Sequence, residues 1–188
     1  MSTSTVTQPS AATTAAALRR LYFVRSGFAV VWAVLLLAVG KDLGAAATVL
    51  LVLYPAFDVA AAVVDYRSSR TERPAAGLIV NMALSVLTAI GLGVAASSGI
   101  PAVLRVWGAW AIAAGIVQLV VAIIRYRLGA QWPMILSGGI SVLAGAGFLA
   151  MAGGADPKLA GLAGYATLGA IFFFASALRL GRVVKEGR

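Results

Sequence analysis

Cysteine and histidine are both absent from the 188-residue sequence. Their absence excludes disulfides, thiolate nucleophiles, histidine proton shuttles and the usual zinc sites. The familiar nucleophile–base pairs and metal centres of enzymes cannot be built without them. A Ser–Lys pair has poor geometry, because Lys41 and Lys158 lie in turns far from Ser137 and Ser141. We therefore expect a protein that is not an enzyme, with no catalytic residues, no metal and no cofactor.

Charge is also scarce: charged residues make up 11% of the sequence, against about 25% in an ordinary soluble domain. Apolar residues make up 61%, and the mean hydropathy is +0.96. One soluble core cannot hide so much apolar sequence, so we expect lipid to surround most of the surface. The length suits six spanning helices with short connections and no further domain.

Six apolar segments are each near the length of about 20 residues that an α-helix needs to cross a bilayer. They show almost none of the polar stripe that is usual on a soluble helix of this length. The pattern predicts an all-α membrane protein. Its spanning helices are predicted at Leu21–Val39, Ala45–Val64, Ala75–Ala96, Ala102–Ile124, Trp132–Met151 and Leu159–Leu178.

The two ends of the chain differ from the apolar region between them. Residues 1–18 are rich in Ser, Thr and Ala and lack the basic region of a signal peptide, so they are predicted to be a disordered cytoplasmic tail. Residues 183–188 are predicted to be a basic cytoplasmic tail. The transmembrane domain is then predicted to cover residues 19–182.

Basic residues gather at alternate ends of the six segments. The positive-inside rule therefore predicts a multi-pass protein of the inner (plasma) membrane with both termini in the cytoplasm. The net charge of +9 then reflects topology and contact with anionic lipid headgroups. We expect membrane lipids as partners and no nucleic acid. The basic residues on the predicted inner side are Arg19, Arg20, Arg67, Arg70, Arg73, Arg125, Arg127, Arg179, Arg182, Lys185 and Arg188.

A short apolar pattern recurs three times at a spacing of 56 residues. The copies are VRSGFAVV at 24–31, VNMALSVL at 80–87 and LSGGISVL at 136–143. Each copy lies in the first helix of a predicted helical hairpin. We predict three parallel hairpin repeats, at about 19–70, 71–127 and 128–182, around a pseudo-threefold axis along the membrane normal.

Small residues spaced four apart form ridges on the first helix of each hairpin. Such ridges let helix backbones approach each other in lipid, so we interpret them as helix-packing surfaces. A pore lined by small polar groups is the alternative. The ridges permit homo-oligomers without requiring them. The candidate packing residues are Ser85, Ser137, Ser141 and Gly145.

A polar layer is predicted inside the first four helices, formed by Arg25, Asp58, Asn81 and Gln118. Arg25 and Asp58 are predicted at similar depth on antiparallel neighbours, and a charge buried in a span needs a partner. The layer either holds the bundle together or borders a cavity that binds or passes a proton or small polar solute. Pro55 removes a helix hydrogen bond close to Asp58, and we interpret it as a candidate hinge or a packing device.

Three tryptophans lie near the predicted membrane surfaces. Trp107 and Trp110 lie near the outer end of their segment, and Trp132 lies at the inner end of the fifth. Tryptophan is enriched at membrane–water interfaces, so we expect all three to belong to interfacial belts.

The three hairpins, WPMILSGGISVLAGAG at 132–147 and GIVQLVVAIIRYR at 115–127 resemble the HdeD-type acid-resistance membrane protein family. The resemblance covers about residues 19–182. It implies a six-span inner-membrane protein linked to survival of acid stress, with no catalytic residues to carry over. We therefore expect a non-enzymatic integral membrane protein acting in acid or envelope stress tolerance. The alternative is a small transporter or channel component for protons or a small polar solute.

Overall fold

A computed structural model describes residues 11–68, 75–124, 126 and 132–186. These ranges contain six α-helices, all long and apolar enough to cross a membrane. The predicted all-helical architecture with six candidate spans is therefore confirmed. The helices are α1 (Ala11–Val39), α2 (Ala45–Ser68), α3 (Ala75–Ala95), α4 (Ile100–Ile124), α5 (Trp132–Ala152) and α6 (Ala160–Glu186), and a 3-10 turn (Ala96–Ser98) lies before α4.

The first helix is longer than predicted. It begins at Ala11, so residues 11–18 are helical, and the prediction of a disordered tail is wrong for them. Alanine and leucine have high helix propensity, and adding turns to an existing helix avoids the cost of nucleation. Ala15 and Leu18 are also buried, which stabilises the added turns. Residues 1–10 of the predicted tail lie outside the described residues.

The last helix also continues beyond its predicted end. It passes through the basic residues after Leu178 and ends at Glu186, inside the predicted C-terminal tail. A change from apolar to basic residues therefore does not by itself end a helix.

Glycines end the helices where the sequence predicts turns. The Gly40 amide donates to the Leu36 carbonyl over 2.7 Å at the end of α1. Gly99 has a φ of 90° between the 3-10 turn and α4, a conformation that glycine adopts without steric cost. Its carbonyl accepts hydrogen bonds from the amides of Ala102 and Val103, which satisfy two donors of the first turn of α4.

The six helices form a closed ring in chain order. Each helix contacts the next, and α1 contacts α6. The most extensive contacts join α4 with α5, α1 with α6 and α2 with α3, whereas α5 and α6 touch only slightly. These three pairs cross the boundaries of the predicted hairpins, so the predicted hairpins are not the most tightly packed pairs of helices.

Four glycines bring the backbones of α4 and α5 together, and we call them the glycine seam: Gly108, Gly115, Gly138 and Gly145. A Cβ atom added at Gly145 would lie 2.6 Å from the Gly108 carbonyl oxygen, and one added at Gly108 would lie 2.7 Å from the Gly145 carbonyl oxygen. Gly115 and Gly138 oppose each other in the same way, at 2.7 and 2.9 Å. Close backbone approach of this kind is how helices associate in lipid.

The predicted small-residue ridge of α5 is displaced by one residue at one position. Ser141 and Gly145 are buried, as is Gly138, whereas Ser137 is only half-buried. The buried face therefore follows a spacing of three and then four residues, which keeps it aligned along a helix of 3.6 residues per turn.

The core beside the glycine seam is aromatic. The rings of Trp32 and Trp107 stack with centroids 5.4 Å apart, and Tyr54 lies 4.6 Å from Trp32 and 5.5 Å from Trp107. Trp107 is 0% exposed and Trp110 is 8% exposed, so the expectation that they form an interfacial belt is wrong. Both residues face the interior of the ring of helices. Their position along the sequence does not reveal which side of the helix faces inward. Trp132 is 68% exposed, as an interfacial residue would be.

The glycine seam makes a mutational prediction. Gly145→Ala places a methyl group against the backbone of α4, so we expect it to lower the free energy of unfolding by about 1 to 3 kcal/mol. Gly147→Ala is the matched control on the same helix, because nothing lies within 4 Å of the added Cβ atom. The control should be neutral or slightly stabilising. Unfolding titrations in detergent measure both, and equal effects of the two substitutions would contradict the seam.

Candidate functional site

The candidate site is built around the carboxylate of Asp58. This residue lies near the middle of the candidate span Ala45–Arg67 and is 8% exposed. An ionised carboxylate at such a depth is costly unless it is paired and accepts hydrogen bonds. Its partners therefore determine whether this part of the bundle is stable.

Arg25 of α1 forms an ion pair with Asp58, so the predicted pairing is present in the structure. Arg25 Nη2 donates to Asp58 Oδ1. The side chains are 17% and 11% exposed, so solvent screens the pair little. Arg25 also lies near the middle of its own candidate span, Ala15–Val39. The two opposite charges thus compensate each other inside the candidate spans.

The second carboxylate oxygen of Asp58 accepts two hydrogen bonds from α3. Asn81 Nδ2 donates over 2.9 Å and Ser85 Oγ donates over 2.8 Å. Asn81 and Ser85 are four residues apart, which places them on the same face of the helix. The Asp58 network, formed by Arg25, Asp58, Asn81 and Ser85, thereby connects α1, α2 and α3.

The sequence analysis gave Ser85 only a packing role. Its hydroxyl is fully buried and bonds to Asp58, so Ser85 belongs to the polar network as well. Its spacing of four from Asn81 was the available signal, because a polar pair at that spacing indicates a shared polar face. Ser85 also fits the four-residue spacing of the small-residue ridge, and the sequence analysis therefore interpreted it as a packing residue.

The α6 helix supports the arginine of the network from the opposite side. Arg25 Cζ lies 4.2 Å from the ring centroid of Phe173, a cation–π distance. The neighbouring Ser26 donates its hydroxyl to the Ala170 carbonyl over 3.0 Å. These contacts hold the inward-facing side of α1 against α6, and they limit the positions that the guanidinium group can take.

Gln118 does not join the Asp58 network. It is half-buried on α4, and the hydrogen-bond donors to Asp58 are Arg25, Asn81 and Ser85. The α4 helix contacts α3 and packs most extensively against α5, on the other side of the ring from α1. Three of the four residues predicted to share one layer therefore lie together in the structure. Gln118 lies apart from them.

Pro55 lies one turn before Asp58, within a helix that continues from Ala45 to Ser68. It is fully buried, and nearby the Trp32 indole Nε1 donates to the Leu50 carbonyl over 2.6 Å. The structure thus shows Pro55 as a buried packing residue of α2. The hinge role stays a prediction.

A second polar contact joins α5 to α6. The hydroxyl groups of Ser141 and Tyr165 lie 3.0 Å apart, and the Tyr165 ring packs edge-on against Phe148 with centroids 5.9 Å apart. The contact involves no charged group. It compensates for the slight packing between these two helices.

Two buried donors lie in the aromatic core. The indole nitrogens of Trp107 and Trp110 have no hydrogen-bond acceptor among the described residues. The two rings are 5.4 Å apart at 87°, an edge-to-face arrangement in which the edge of one ring is directed at the π face of the other. The pair gains ring–ring contact, while both indole N–H groups lie buried without an acceptor among the described residues.

The Asp58 network contains one carboxylate, and its charge balances that of Arg25. Among the described residues, no three His, Cys, Asp or Glu side chains come together as a metal site would require. Asp58 is thus a single carboxylate among nitrogen and hydroxyl donors, an arrangement suited to holding charge.

Comparison of the chain with protein-family models, curated proteins and solved structures finds no match. The resemblance to the HdeD type therefore stays a prediction that depends on the sequence patterns.

Reversing the ion pair tests its contribution to stability. Arg25→Asp and Asp58→Arg each place like charges together, so we expect each to lower the free energy of unfolding by roughly 3 to 5 kcal/mol. The double variant should recover part of this loss, because Asn81 and Ser85 can also act as acceptors toward an arginine. Unfolding titrations in detergent measure all three proteins.

The exposed ion pair between Lys158 and Asp156 provides the matched control. Its side chains are 66% and 73% exposed, so reversing it should change stability little. A double Arg25/Asp58 swap that is no more stable than the better single variant would show that the pair contributes no coupling.

Proposed function

We propose that this protein is a non-enzymatic integral membrane protein of the HdeD type that contributes to acid or envelope stress tolerance. The observation that supports the proposal is the set of polar contacts made by Asp58. Arg25 balances its charge, and its second carboxylate oxygen accepts hydrogen bonds from Asn81 and Ser85. One titratable group thereby connects three spanning helices. The resemblance of the repeat patterns to the HdeD type supports the family assignment.

The proposed role follows from the protonation chemistry of this carboxylate. In the ionised form, Asp58 attracts Arg25 and accepts both hydrogen bonds from α3. Once the carboxylate takes up a proton, the ion pair is lost and Arg25 becomes an uncompensated charge among apolar helices. We propose that this change couples internal acidity to the packing of the bundle.

Acid survival of a deletion strain tests the proposal. We expect wild-type protein to restore survival and Asp58→Asn to fail. Asparagine keeps the side-chain shape, but it has no ionisable group and stays neutral at every pH. Asp156→Asn is the matched control, since it removes the same charge from an exposed pair, and it should restore survival fully. Immunoblots of isolated membranes establish that all variants are present in equal amounts.

Each other outcome has a defined meaning for the proposal. Restoration by Asp58→Asn would show that the network only holds helices together. A deletion strain with normal acid and envelope stress survival would overturn the stress role itself.

We further propose an inner-membrane location, both termini in the cytoplasm and three parallel hairpin repeats. The basic residues at one set of segment ends support the orientation. The recurrence of the apolar pattern every 56 residues and the alternation of extensive and slighter contacts around the ring support the repeat.

Single-cysteine labelling tests the orientation, because the chain contains no cysteine of its own. A membrane-impermeant maleimide added to intact cells should label Asp156→Cys, in the turn before α6. It should label Ser69→Cys, in the connection after α2, only once the membrane is permeabilised. The cysteine-free parent measures background, and the reverse labelling pattern would show that the termini lie outside.

A small transporter or channel component for protons or a polar solute is the second candidate. It is favoured by the position of the Arg25–Asp58 pair inside two candidate spans, because ionisable residues inside spans commonly mark ion pathways. Proton or dye flux in vesicles containing only the purified protein separates this candidate from the first. Flux that Asp58→Asn abolishes would favour transport.

A further inference from the structure

A cleft of about 460 Å³ lies at the N-terminal end of the first candidate span, along the turns of α1 that precede Arg25 of the Asp58 network. Its lining is a single stripe of α1, because the residues follow the spacing i, i+3, i+4, i+7 and i+8 of one helical face. The stripe is cationic at its start and apolar toward the bilayer. The lining residues are Ala16, Arg19, Arg20, Phe23 and Val24.

The guanidinium group of Arg19 is held in place at this cleft. Its Cζ lies 5.4 Å from the ring centroid of Phe23, one turn further along α1. On the other side it packs over Gly181 of α6, where an added Cβ atom would lie 3.1 Å from Nε and 3.3 Å from Cζ. The missing side chain at Gly181 provides the space that the guanidinium occupies. Arg19 is therefore positioned by two helices, unlike an arginine extended freely into water.

The two ends of the cleft match the two ends of a phospholipid. Arg19 and Arg20 are exposed at the start of the span, where phosphate headgroups lie, and a guanidinium group binds phosphate through several N–H donors. Val24, 51% exposed, continues the stripe toward the hydrocarbon region. None of the five lining residues is acidic. A soluble phosphate would use the cationic end alone, so the apolar continuation favours a lipid.

We propose that this cleft is a binding site for one anionic phospholipid, with its phosphate on Arg19 and Arg20 and an acyl chain along Phe23 and Val24. The site goes beyond a general attraction of basic residues to the membrane surface, because Gly181 and Phe23 orient one of its cations. It depends only on insertion in a membrane and is independent of the role proposed for Asp58.

Native mass spectrometry of the purified protein, titrated with phosphatidylglycerol, tests the site. We expect wild type to retain one lipid molecule in preference to further ones. The Arg19→Gln/Arg20→Gln variant should bind that lipid at least about tenfold more weakly. Arg105→Gln is the matched control, since it removes an exposed arginine of α4 outside the cleft, and its first binding step should equal that of wild type.

Gly181→Val separates a positioned site from simple charge. It keeps both arginines but occupies the space of the Arg19 guanidinium, so we expect it also to weaken the first binding step. Circular dichroism checks that this variant is folded. If it is not, Arg19→Lys replaces it, because lysine retains the charge without the planar group, and the same weakening is expected.

Four results would overturn the proposal. They are equal binding of phosphatidylcholine, complete competition by inorganic phosphate, an equal loss in Arg105→Gln, and wild-type binding by the folded positioning variant. The first would indicate an apolar groove without headgroup preference, and the second a site for free phosphate. The last two would indicate general surface charge.

Discussion

The need to compensate charge inside a bilayer governs one side of this bundle. Asp58 and Arg25 both lie near the middle of their spans, where neither could remain ionised alone at low cost. Their ion pair brings α1 and α2 together, and the remaining oxygen of Asp58 takes its hydrogen bonds from Asn81 and Ser85 of α3. The burial of one carboxylate thus requires three helices to pack in one arrangement.

The opposite side of the bundle is held together by a different type of contact. Along the glycine seam, α4 and α5 approach until their carbonyl groups leave no space for a Cβ atom. Dispersion forces are short-ranged, so contact of two backbones over several turns is favourable in lipid without any polar group. The aromatic core around Trp32 and Trp107 lies between the two sides and connects them by stacked rings. Polar contacts therefore concentrate where the charged pair is, and small residues concentrate where backbones meet.

The two proposed sites lie at different depths and use arginine in different ways. Arg25 lies further along the span and is neutralised by Asp58, so its charge serves to connect α1 with α2. Arg19 at the end of the span keeps its charge available and is oriented by Phe23 and Gly181, which suits it to bind a headgroup phosphate. Both arginines lie on α1, and both reach α6, through Phe173 in one case and Gly181 in the other. The extensive packing of α1 against α6 therefore supports the inner network and the cleft at the membrane edge together.

The sequence by itself determined the number of spanning helices, their approximate limits and the need of Arg25 for an acidic partner, because hydropathy and buried charge act through local composition. It also indicated the depth of each polar side chain, since depth follows from residue count along a helix. Only the tertiary structure decided which helices are neighbours and which faces they turn inward. In the resulting arrangement, Gln118 lies outside the network, Ser85 belongs to it and Trp107 is buried in the core. The physical reason is that helix phase and lateral position depend on packing between distant segments, which a hydropathy pattern that is apolar on all sides does not encode.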